Sequence, residues 1–125
     1  MKRFVLALLI CCSKGVFAYG GADIYESCKR YEQQRTPGYE ATRDDALQVG
    51  MCLGMSKATY EMLQLSDSRS TGICLPEKEL TPRDVALMFL QQMSGRNLGE
   101  FTATQAILGA FLAKYHCKGN PRTVR

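Results

Sequence analysis

The sequence predicts an all-α fold, a compact bundle of about four main helices held by two disulfides. Three observations carry that expectation. Apolar residues recur at helical spacing along most of the chain, and no segment alternates with period two for long enough to make a strand. Four of the six cysteines remain once an N-terminal export signal is set aside.

Residues 1–18 read as that signal. Lys2 and Arg3 form a charged start, Phe4 to Cys12 an apolar stretch, and Val16-Phe17-Ala18 the cleavage region. The stretch is far shorter than the roughly 20 apolar residues of a membrane-spanning helix. Neither Cys11 nor Cys12 follows a small residue, which argues against a lipid anchor. Residues 19–125 then form a single domain of 107 residues, with 13 basic and 12 acidic side chains and a net charge of +1. Such a domain has no field to draw it onto nucleic acid or, after cleavage, onto a membrane. Export places its cysteines in an oxidising compartment.

The elements follow in order. Gly20-Gly21 reads as a flexible start. Ile24, Cys28 and Tyr31 then share one face of a first helix, from Ala22 to about Gln34, and Thr36-Pro37-Gly38 ends it. Thr42 can cap a second helix whose first turn holds Asp44 and Asp45, where the helix dipole favours negative charge. That helix should run to about Leu65, with Leu47, Met51, Met55, Met62 and Leu65 supplying apolar bulk. Ala46, Gly50, Gly54 and Ala58 form a strip of small residues along it. Each mid-helix glycine costs about 1 kcal/mol relative to alanine. The expected compensation is close approach of another helix within the monomer, with a dimer face as the alternative.

Ser66 to Gly72 reads as a polar loop, and Pro76 keeps Ile73-Cys74-Leu75 out of helix. Thr81-Pro82-Arg83-Asp84 is the strongest helix start in the chain: a capping threonine, proline at the first position and an acid three residues after the cap. The third helix should turn Val85, Met88, Phe89 and Met93 inward and close at Ser94-Gly95. A fourth, from about Thr102 to His116, is apolar on most of its circumference and is expected to be central. A frayed tail is expected from Gly119-Asn120-Pro121.

Four cysteines allow three pairings. If the first two helices form an antiparallel hairpin, Cys28 faces Cys52. If the last two are antiparallel, Cys74 meets Cys117. Loops of 25 and 44 residues would then each be worth about 3 to 4 kcal/mol in the chain-entropy model. The spacings are too wide for a local zinc site, and no Cys-x-x-Cys pair exists. The single histidine, His116, neighbours Cys117 but would point about 100° away from it on a helix, so the two make no catalytic pair. No nucleophile elbow or phosphate loop is present. The residues describe a binding protein with no cofactor and no catalytic site.

Cys28, Gly50-Met51-Cys52-Leu53-Gly54, Gly72-Ile73-Cys74-Leu75-Pro76 with Leu80-Thr81, and a last cysteine after a long helix together resemble the Rap/Tai immunity proteins of type VI secretion. The resemblance spans about Ala22 to Cys117. It departs at His116, where proline often precedes the final cysteine in that family. It implies a periplasmic, all-helical, often dimeric protein that binds and blocks a secreted peptidoglycan amidase, an enzyme with a cysteine nucleophile activated by histidine. A homodimer and a cognate amidase are the partners it implies.

Exposed polar turns on a disulfide-fixed frame are the candidate contact surface: Asp67, Ser68, Arg69 and Ser70 in the loop, Arg83 and Asp84 at the third helix, and Arg96, Asn97 and Glu100 before the fourth. The rival reading is a periplasmic stress chaperone that uses methionines as an adaptable surface. A lipid-binding protein or secreted hydrolase ranks behind it, because nothing in the chain supplies the chemistry.

Overall fold

The computed structural model describes residues 19–118. The expected signal peptide and the Gly119-Asn120-Pro121 tail lie outside the described residues. Five helices occur among them: α1 (Gly21–Gln34), α2 (Arg43–Leu65), the single turn α3 (Ser68–Thr71), α4 (Pro82–Met93) and α5 (Ala103–Tyr115). The described residues contain no strand, only the isolated antiparallel bridges Gly20–Thr102 and Ile73–His116. Each of the four long helices touches the other three.

Three of them begin with the same device. Thr42, Thr81 and Thr102 each accept a hydrogen bond from the backbone N–H three residues on, and Asp45, Asp84 and Gln105 reach back to the cap. Asp45 does more than cap. It is almost fully buried and accepts from Arg30 Nη1 at 2.8 Å and from the Tyr39 hydroxyl at 3.1 Å. It thereby fastens the α1–α2 connection to the side of α1. The Thr42 backbone N–H, then Arg30 and the Thr42 hydroxyl, hold its carboxyl well below the usual carboxylate range, against the opposing effect of burial.

The core is drawn from all four long helices. Ile24, Val85, Phe89, Ile107 and Phe111 are fully buried, with Met88 and Met93 beside them. Phe89 meets the edge of the Tyr25 ring, and Phe111 stacks on Tyr60. Both disulfides are formed with the pairing that helix geometry implies, Cys28–Cys52 across the α1–α2 hairpin and Cys74–Cys117.

Four expectations are corrected. Gly20-Gly21 is not a flexible start. Tyr19 to Gly21 runs beside Phe101 to Ala103, the Gly21 N–H donating to the Phe101 carbonyl and the Ala103 N–H to that of Tyr19. The apolar bulk of α2 is not all inward: Cys52, Thr59, Tyr60 and Leu63 face the core, while Leu47, Met62 and Leu65 are exposed. The small-residue strip receives no helix within the monomer, since Ala46, Gly50, Gly54 and Ala58 are all exposed. Finally, α5 is not enclosed, because Leu112 remains half exposed beside Phe101. Three neighbouring helices cannot cover a cylinder that is apolar on nearly every side.

Candidate functional site

The segment expected to be a polar loop contains the one-turn helix α3. Asp67 caps it by accepting from the Arg69 N–H at 3.0 Å, and Gly72 ends it at φ 71°. A side chain rarely adopts that angle, so glycine suits the position. The turn is fixed from behind. The Cys74 N–H donates to the Tyr115 carbonyl at 2.7 Å, and the Cys117 N–H donates to the Gly72 carbonyl at 2.9 Å. The Cys74–Cys117 disulfide closes the same junction covalently. Asp67, Ser68, Arg69 and Ser70 are therefore exposed on a short turn bolted to the end of α5.

Beside this turn runs a shallow apolar groove. It is lined by Thr71, Ile73 and Phe101 and, on α5, by Gln105, Leu108, Gly109 and Leu112. A second concavity shares Phe101, Gln105 and Gly109 with the first and continues to Met93, Leu98, Arg96 and Asn97. Phe101 and Leu112 are each about half exposed, 49% and 48%, which is unusual for large apolar side chains set close together on one face.

Two of the three groups of polar candidates thus come to one surface. The Asp67–Ser70 turn stands at one end of the groove. Arg96 and Asn97 line the adjoining concavity, and exposed Glu100 adjoins Phe101 in the chain. Asn97 also organises its own loop by accepting from the Gly99 N–H at 3.1 Å. Arg83 and Asp84 line neither concavity. The Asp84 carboxylate is engaged within its own helix by the Thr81 N–H and hydroxyl at 2.9 Å each, contacts that hold it below the ordinary carboxylate range against burial.

The apolar centre of this surface escaped the sequence reading. The signal was present in α5, whose apolar residues are too numerous for one buried stripe. Phe101, just ahead of the Thr102 cap, sits in no periodic pattern and gave none. Among the described residues no group of three or more His, Cys, Asp or Glu side chains is placed to hold a metal ion. No described helix is long and apolar enough to cross a membrane. The disulfides are compatible with an oxidising extracellular or periplasmic compartment.

Comparison with family models, with curated proteins and with solved structures finds no match to this chain.

Proposed function

We propose that this chain is a periplasmic immunity protein that binds a type VI secreted peptidoglycan amidase and blocks its active-site cleft. The observation that carries the reading is the α3 turn, held by a disulfide and two backbone hydrogen bonds at the edge of an exposed apolar groove. A protein that inhibits by occupying a cleft gains affinity when the inserted segment is already rigid, because little ordering entropy remains to be lost. An apolar centre with polar groups at both ends is also the usual anatomy of a binding face. The Rap/Tai-like cysteine and glycine pattern supplies the class of partner. Under this reading the chain catalyses nothing and requires no cofactor.

The test is a titration of the mature, oxidised protein into the amidase encoded beside it, following release of peptidoglycan fragments. Loss of activity near equimolar ratio is expected. Alanine at Ser68 and Arg69 together, and separately Phe101→Ala, should each weaken inhibition by tenfold or more, about 1.4 kcal/mol, without lowering Tm. Full amidase activity in large excess of the protein, with no binding, defeats the reading for that pair. The exposed groove would then be better read as a client-binding surface of a chaperone, which would suppress aggregation of unrelated unfolded proteins.

A further inference from the structure

We propose that the concavity lined by Arg96 and Asn97, with the α5 groove that continues it, binds a free unbranched acyl carboxylate. The carboxylate head sits at Arg96 and Asn97, and the tail lies along α5. The first observation is which polar groups are left over. The Gly99 N–H occupies the Asn97 Oδ1 at 3.1 Å, and the Thr102 N–H occupies the Gln105 Oε1 at 3.0 Å. Each side chain is left with its amide N–H groups, which only donate. The neighbouring backbone carbonyls are engaged as well. Those of Met93, Leu98 and Phe101 accept from the N–H groups of Arg96, Phe101 and Gly21 at 3.1, 3.2 and 2.7 Å. Among the described residues no carboxylate pairs with Arg96, and exposed Glu100 does not line the concavity. A guanidinium and two amide donors remain, an array that suits an anionic acceptor.

The second observation is an apolar path leading away from those donors. The concavity holds about 370 Å³, within the size range of small-molecule sites. It passes into the groove through Phe101, Gln105 and Gly109. Gly109 keeps that passage clear. A Cβ there would meet the Met93 methyl at 3.9 Å, an ordinary contact, so packing within the fold does not demand glycine. From Gln105 to Leu112 the helix runs about 10 Å. Thr71 and Gln105 are the only polar residues lining the groove. An extended peptide would bring an N–H and a C=O at every residue, and those facing the groove would lack partners. A hydrocarbon tail brings none. One carboxylate on an unbranched chain therefore matches both the donors and the path.

Amide NMR spectra of the isotope-labelled, mature, oxidised protein, titrated with sodium octanoate, test this. Binding is expected with a Kd on the order of 1 mM, as befits a ligand this small. The side-chain amide signals of Asn97 and Gln105 should move, with the backbone signals of Arg96 to Phe101. Decanoate should bind about fourfold more tightly through its two added methylenes. Octanol and octylammonium, which keep the tail and remove or reverse the charge, should each bind about fivefold more weakly than octanoate. Arg96→Gln, at an exposed position, should erase the preference for octanoate over octanol. Gly109→Leu introduces a better helix former, so it should fold normally, and it should weaken decanoate about tenfold by blocking the passage.

No shifts up to about 20 mM octanoate, well above the expected Kd, overturn the proposal. So do equal affinities for octanoate, octanol and octylammonium, or an Arg96→Gln protein that keeps the wild-type preference. A Gly109→Leu protein that binds decanoate like wild type overturns the path of the tail. An acetylated trileucine carboxylate that binds more tightly than octanoate overturns the acyl occupant in favour of a peptide C-terminus. None of these readouts involves the amidase, so acyl binding and inhibition can fail separately.

Discussion

An alanine methyl at Gly21 would sit 2.9 Å from the Leu98 carbonyl oxygen and 3.0 Å from the Ala106 Cβ. Neither a backbone oxygen nor a buried methyl can step aside, so Gly21→Ala should destabilise the domain by about 1–3 kcal/mol. The same change at Gly50 meets open space and should stabilise the monomer by about 1 kcal/mol through helix propensity. Urea denaturation of both variants, at concentrations where the chain is monomeric, checks the opposite signs. Asp45 gives a second prediction. Its native contacts favour the charged form, so the stability it contributes is complete above the unfolded carboxylate value of about 4. That stability is lost as pH falls further, towards the depressed native value. Asp45→Asn should lower Tm at neutral pH, and the gap between variant and wild type should narrow below about pH 4. A gap that stays constant to pH 2 would show that the carboxylate's charge is immaterial there.

At the scale of elements, the helices were legible because their starts carry local chemistry. Thr42-Arg43-Asp44-Asp45 and Thr81-Pro82-Arg83-Asp84 mark α2 and α4 whatever surrounds them. Inward and outward faces were harder. On α2, methionine, leucine and glycine occur on several sides, so composition alone does not show that Leu47 and Leu65 stay outside the core. The residues that do face inward include Ser56 and Thr59, whose polarity points the wrong way in a sequence reading. The α3 turn was hidden because four residues are too few to show a period. The Asp67–Ser70 stretch was nevertheless identifiable as exposed, and what the sequence could not show was the groove at its side. The disulfides differ in a way that only the folded chain reveals. Cys28 and Cys52 are fully buried, whereas Cys74 is exposed. Limiting dithiol reductant should therefore open Cys74–Cys117 first, detectable by alkylation and mass spectrometry, and under the proposed function amidase inhibition should fall before the helical signal does. Simultaneous opening of both bonds would mean that access to sulfur does not control their order.

At the scale of the whole molecule, the polar and apolar parts of the surface are divided between two helices. The outer side of α2 carries open glycines and exposed charges, while the groove on α5 lies beside a rigid turn and adjoins a second concavity lined by Arg96 and Asn97. No α2 residue lines either concavity.

The pairing of Tyr19–Gly21 with Phe101–Ala103 bears on how such a chain matures. Polypeptides are synthesised N-terminus first. Here the earliest emerging residues of the domain have their hydrogen-bonding partners almost at its far end, and Ile73 likewise waits for His116. Neither junction can close until α5 has crossed. Before then the chain can form the α1–α2 hairpin and bring Cys28 to Cys52, but it cannot complete a packed core. The architecture thus delays locking until nearly the whole domain is available, so a partly made chain cannot close around an incomplete core.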